Sequence, residues 1–174
     1  MKLFKHFKTI TKHKFYVMKL CFRFGLYKQG LKHDLSKYSW TELVTGAKYY
    51  LGYKSPNSNE RDTIGYSSAW LHHKGRNKHH WEYWIDFTSK GIIAIEMPIN
   101  YVVEMFCDRV AATMVYRGVD FDNQAPLDYY NKTRFYYVIN EKTDAILKDM
   151  LKHLADSSLD ETIEYIKEKY LRNH

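Results

Sequence analysis

The sequence predicts an all-α domain, and three observations carry that expectation. Apolar residues recur at three- and four-residue steps through most of the chain, Ser and Asn stand where helices would begin, and prolines number only three. At 174 residues, with 45% apolar and 17% aromatic side chains, the chain is long enough to build a hydrophobic core and too apolar for disorder. One domain over residues 1–174, of roughly seven or eight helices, is expected.

The first helical stretch, a single helix or a pair, covers residues 3–27, where Leu3, Phe4, Phe7, Ile10, Val17, Leu20, Cys21 and Phe24 fall at helical spacing. Gly25 and Gly30 then loosen the chain ahead of His33-Asp34. Ser39 and Glu42 have capping-box spacing at the head of a helix reaching Leu51, with Leu43, Val44, Ala47 and Tyr50 on its stripe. Residues 52–62, GYKSPNSNERD, read as the clearest loop and a hinge or lid candidate. Thr63 to Lys74 reads as a short helix, Gly75-Arg76-Asn77 as a turn, and residues 81–84 as an aromatic run. Residues 85–96 fit either a short strand around Gly91 to Ile95 or the continuation of a buried helix. Pro98 opens a helix to about Tyr116 that ends at Gly118, and Pro126 opens a Tyr-rich helix to about Ile139. Asn140 caps a helix over 141–154, and Ser158 with Glu161 caps the last one.

Cys21 and Cys107 lie far apart and match no metal-ligand spacing, so both read as small buried side chains in a reduced, cytoplasmic setting. Lysines interrupt the N-terminus too often for a signal peptide, and no segment is long and apolar enough to span a membrane. Residues 1–32 hold nine Lys/Arg and no acid, whereas the remainder carries 18 basic against 20 acidic residues. Such a field attracts phosphates, nucleic acid or anionic lipid, unless it is only a solvated helix face. Sixteen tyrosines and four tryptophans admit base stacking, but Tyr49, Tyr50, Tyr129, Tyr130, Tyr136 and Tyr137 sit in helical segments where packing explains them equally well. Trp81 and Trp84 either wall a substrate pocket or join the core.

Five of the nine histidines fall in two places, His33 and the quartet His72, His73, His79 and His80. Neutral imidazole binds Fe, Mn, Zn and related ions, and a carboxylate can bridge two of them while offsetting their charge. Such a set without cysteine suggests a hydrolytic or oxygen-activating centre more than a structural zinc knot. Arg76 and the neighbouring lysines would then face substrate oxygens. His6, His153 and His174 are expected to be exposed.

The order His13, His33-Asp34, His72-His73 with His79-His80, then Asp108 resembles the ligand series of the HD-domain superfamily of metal-dependent phosphohydrolases, most closely its binuclear, HD-GYP-like branches. His33-Asp34-Leu35-Ser36-Lys37 matches the HDxxK form, His79-His80 resembles the twin histidine, and Asp108-Arg109-Val110 resembles the last aspartate. No Gly-Tyr-Pro tripeptide follows the twin histidine, so cyclic dinucleotide specificity is not implied. The stretch from His72 to Trp84 also resembles a family of bacterial and phage proteins.

The resemblance implies an HD-like helical bundle in which His13, His33, Asp34 and Asp108 hold one ion. Asp34 would bridge to a second held by His73, His79 and His80, ranked above His72 because the twin histidine of the superfamily resembles His79-His80; consecutive helical residues point about 100° apart, which disfavours both His72 and His73 on one ion. The implied cofactor is one or two divalent ions, whether Fe, Mn, Zn, Co or Ni, with Lys37 binding the phosphate of a small molecule or nucleotide. The competing expectations are a di-iron oxygenase on the same ligands, and a basic nucleic-acid-binding protein in which the histidines only pack.

Overall fold

The computed structural model describes residues 1–89 and 91–172. The first half contains α1 (Lys2–Arg23), α2 (Tyr27–Lys32), a 3-10 turn (Leu35–Tyr38), α3 (Trp40–Lys48), α4 (Pro56–Ile64) and α5 (Ser68–Lys74). A 3-10 turn (Trp81–Trp84) leads into an antiparallel hairpin, β1 (Ile85–Thr88) and β2 (Gly91–Ala94), with Ile85 opposite Ala94 and Thr88 opposite Gly91. The second half is α6 (Ile99–Arg117), α7 (Ala125–Thr133), α8 (Glu141–Asp156) and α9 (Leu159–Ile166), the last running into a π turn (Lys167–Leu171). The fold is all-α, with nine α-helices among the described residues.

Three boundaries depart from the sequence expectation. Residues 52–62 are not one loop, because Pro56 takes the first turn of α4, where its fixed φ and missing N–H cost nothing. What anchors that polar helix is a buried carboxylate, Glu60, which accepts from Ser67 Oγ (2.6 Å), Ser68 Oγ (2.7 Å) and the Ser68 N–H (3.1 Å). Gly65, at φ 85°, ends α4, and Ser67 accepts from the Trp70 N–H to start α5, which splits the helix expected over 63–74. Residues 85–94 resolve as the hairpin. The Tyr-rich helix stops at Thr133, where a 3-10 turn is pinned by Arg134 Nε donating to Asp144 (2.6 Å).

Helix α6 is wrapped by the rest of the chain. Val102, Val103, Met105, Phe106, Cys107, Val110 and Ala111 are all buried, so this helix has no solvent face along most of its length. Around it pack Val17, Leu20, Cys21 and Phe24 of α1, Leu147, Met150, Leu151 and Leu154 of α8, and Ile163 and Ile166 of α9. Each fully buried Leu or Ile contributes roughly 1.5–3 kcal/mol. Both cysteines belong to this core and are free thiols. Trp81 and Trp84 lean on it too, Trp81 against Tyr137 and Trp84 against Tyr101. No helix among the described residues is long and apolar enough to cross a membrane.

Two histidines expected at the surface are not there, and His174 lies outside the described residues. His153 is half-buried, stacked on Tyr165 with ring centroids 4.0 Å apart. His6 is buried, and its ring crosses α3 at Gly46, where a Cβ would overlap the imidazole. Burial and then Lys37 hold the His6 pKa down to about 4, so the ring packs as a neutral group. Gly46→Ala should therefore destabilise the protein by about 1–3 kcal/mol through overpacking, against the gain of about 0.5–1 kcal/mol that alanine brings to an open helical site. Denaturant melts of the two proteins measure the sign.

Candidate metal centre

Four segments meet at one point. His13 projects from the buried face of α1, and Asp108 comes from the middle of α6. Between them α2 ends at Lys32, His33 leaves helical geometry at φ −49° and ψ 127°, and Asp34 turns left-handed at φ 55°, alone among the described non-glycine residues. Aspartate tolerates that region better than most residues, at some strain. The kink turns consecutive side chains inward, and His33 and Asp34 are 2% and 1% exposed. Lys14 secures this end of α2 by donating to the carbonyls of Leu31 (2.8 Å) and His33 (2.7 Å). The fourth segment begins at His73 in the last turn of α5, where Asn77 Nδ2 donates to the His73 carbonyl (2.8 Å) and to Ser36 Oγ (2.9 Å), returning the chain so that His79 and His80 enter.

Three groups of possible ligands occur among the described residues: two share Asp34, and the third, His33, His79 and Glu104, lies behind them. In the first, His13 Nε2 lies 2.9 Å from Asp108 Oδ1 and 3.7 Å from Asp34 Oδ2, while His33 Nε2 lies 3.6 and 3.4 Å from the same two oxygens. In the second, the other Asp34 oxygen, Oδ1, lies 3.2 Å from His73 Nε2 and 3.4 Å from His79 Nε2, and His80 joins them. Donors about 2.1 Å from a shared cation at tetrahedral or octahedral angles stand about 3.0–3.4 Å apart, so the spacing fits a metal. The hydrogen bonding fits as well. His13 Nε2, His33 Nε2, His73 Nε2, His79 Nε2, His80 Nε2 and Asp34 Oδ1 are buried without a hydrogen-bond partner, although they lie close together, and Asp34 Oδ2 is met by the Lys37 ammonium. Buried polar atoms are ordinarily paired, and this many unpaired ones converging on shared space are what a cation-binding site requires.

Two carboxylates behind the ligands fix the imidazoles. Glu104 Oε1 lies 2.9 Å from His33 Nδ1 and 3.2 Å from His79 Nδ1, and Glu42 Oε2 lies 2.8 Å from His73 Nδ1. A carboxylate on Nδ1 keeps the proton there and leaves Nε2 its lone pair, the tautomer that ligates. Glu104→Gln is expected to weaken metal binding about 10–100-fold. Calorimetric titration of the apoprotein with Mn or Zn measures it, and an unchanged affinity would remove Glu104 from the site.

The charges are strongly coupled. Burial opposes charge on Asp34, yet His33, Lys37 and His73 hold its carboxyl well below the usual range. Burial likewise opposes protonation of His33, but Asp34, Asp108 and Glu104 carry it well above its ordinary value. For Glu104 burial acts upward and is outweighed by His33 and His79, which take it down to about 2. At His80, burial and then the neighbouring His79 and His73 push the pKa well down. Lys37 is half-buried with its ammonium 2.5 Å from Asp34 Oδ2; burial lowers its pKa, but Asp34 and Asp108 raise it further, so it stays charged.

The residues read from the sequence as ligands, His13, His33, Asp34, His73, His79, His80 and Asp108, are all brought together, and Lys37 stands beside them. His72 stands aside, with Nδ1 2.6 Å from Glu42 Oε1. Arg76 is a correction: it is exposed, and its guanidinium donates to the His72 carbonyl (3.0 Å) on its own turn, so the fold does not bring it to the cluster. Arg109 turns away from Asp108 and donates to Tyr137 Oη (3.1 Å). Sequence reasoning missed Glu42 and Glu104. Glu42 has capping-box spacing, and Ser39 Oγ does accept its N–H (3.4 Å), but its carboxylate goes to the histidines. Glu104 lies in an apolar run, one turn ahead of Asp108, and that i, i+4 pair of acids was the available signal.

A model for the family described as "Family of unknown function (DUF5662)" matches residues 2–153, a span that includes every one of these ligands. No curated protein and no solved structure matches the chain.

Proposed function

We propose that this chain, which belongs to the DUF5662 family, is a metal-dependent phosphohydrolase acting on a nucleotide or another phosphate ester. The observation that carries the reading is the Asp34 carboxylate, whose two oxygens face two different histidine sets from a buried position. His13, His33, Asp34 and Asp108 would hold one divalent ion, and Asp34, His73, His79 and His80 a second. When bound, such ions supply a water that deprotonates near neutral pH and positive charge for the phosphoryl oxygens.

The chain's own residues do the rest. Glu104 and Glu42 orient the imidazoles before any substrate arrives, so no reorganisation is needed during the reaction. Lys37, held by Asp34 at the edge of the cluster, offers a fixed ammonium to a phosphoryl oxygen. A polar, nitrogen- and oxygen-only donor set suits Fe, Mn, Zn, Co or Ni, with no thiolate to favour softer ions.

The test is metal analysis of protein purified without chelator, followed by a panel of phosphomonoesters, phosphodiesters and nucleotides with each metal. Metal-dependent release of phosphate or of a nucleoside is expected. No turnover with any metal, together with two bound irons and a visible band that changes on exposure to oxygen, would replace hydrolysis by oxygen chemistry. Protein that binds no metal would overturn both.

A further inference from the structure

On the side of α1 away from the core, an aromatic stripe runs through the most basic part of the chain. Phe4, Phe15 and Phe22 are 75%, 47% and 36% exposed. Spacings of eleven and seven residues put them within about 20° of one line along an α-helix. The buried residues of the same helix, His6, Ile10, His13, Val17 and Leu20, occupy the opposite face. Toward the N-terminal end the stripe borders a shallow depression lined by Phe4, Phe7, Lys8, Thr11, Lys12 and Phe15. Lys5, Lys8, Lys12 and Lys19 flank it, all exposed, and no acid occurs in residues 1–32.

We propose that this face of α1 docks the protein on an anionic lipid surface, with the phenylalanines entering the headgroup boundary and the lysines meeting lipid phosphates. Both halves of the pattern are needed for an interfacial helix: apolar rings that gain by leaving water, and basic residues that add roughly 1 kcal/mol each near an anionic leaflet. Charge argues against the alternatives. A second copy would bring an all-basic face against an all-basic face, and like charges across an interface are costly. A nucleic acid would use the lysines but gives an aligned row of rings on a rigid helix face no bases at matching spacing. His13 sits on the reverse of the same helix, so docking would hold the proposed metal site close to the lipid surface without using any of its residues.

The experiment is co-sedimentation of the full chain with phosphatidylcholine vesicles and with vesicles of phosphatidylcholine and phosphatidylglycerol, at low and high salt. Binding to the anionic vesicles alone, weakened by salt, is expected. F4S/F15S should lower the bound fraction at least about tenfold, with an unchanged melting curve because both rings are exposed. K8E/K12E should do the same. No binding to anionic vesicles would overturn the proposal. So would binding lost in K8E/K12E but unaffected in F4S/F15S, which marks a plain polyanion site such as one for nucleic acid. A dimer in solution that F4S/F15S dissociates would reassign the stripe to self-association. Metal content and phosphatase assays on the same variants read the metal site independently.

Discussion

Asp34→Asn is expected to abolish retention of both metal equivalents and to lower phosphohydrolase activity on the order of 10³-fold or more. Asp34 is the only residue common to the two ligand sets that supplies a different oxygen to each, so its loss is not confined to one ion. An amide keeps the size and one acceptor but gives up the negative charge that offsets the surrounding cations. Asparagine is also the substitution that isolates chemistry from folding, because it accepts the left-handed conformation at φ 55° that alanine would strain. Metal analysis of the purified variant, beside its far-ultraviolet circular dichroism, separates the two effects. A folded Asp34→Asn protein that keeps two ions per chain would refute the bridging role.

Lys37→Met is expected to lower kcat about 10²–10³-fold while leaving metal content intact. The ammonium pairs with Asp34 Oδ2 on the outer side of the shared carboxylate, which places it beside the cluster where a substrate oxygen would approach. Methionine preserves much of the half-buried aliphatic stem and removes only the charge. With that charge gone, Asp34 faces less competition for a cation, so metal affinity should hold or rise. Side-by-side kcat and metal titration decide the matter: loss of metal in Lys37→Met, with rate per bound metal unchanged, would make the lysine a structural counter-charge.

The candidate ligands were legible in the sequence because histidine and aspartate carry their chemistry in their identity, and their order along the chain survives whatever path the backbone takes. Their supports were not. Glu42 was hidden by a second plausible role, since a carboxylate three residues after Ser39 reads as a cap. Arg76 failed for a related reason: position beside two histidine pairs says nothing about direction, and the turn sends its side chain back to its own helix. Helix α4 escaped because periodicity looks for apolar stripes, whereas Glu60 and two serines fasten this helix through polar atoms. His6 was hidden by its lysine neighbours, although it shares a helical stripe with Ile10, His13, Val17 and Leu20 that points inward throughout.

The meeting of four segments at Asp34 also bears on how the chain is held closed. The donors come from positions as far apart as 13 and 108, and they include the first helix and the central one. A cation gripped there would act as a reversible crosslink on just over half of the polypeptide. Closing a loop of that length removes on the order of 4 kcal/mol of entropy from the unfolded chain, in the manner of a long-range disulfide. The same ion that serves the chemistry would thereby fasten α1, and whatever α1 rests upon, to the middle of the fold.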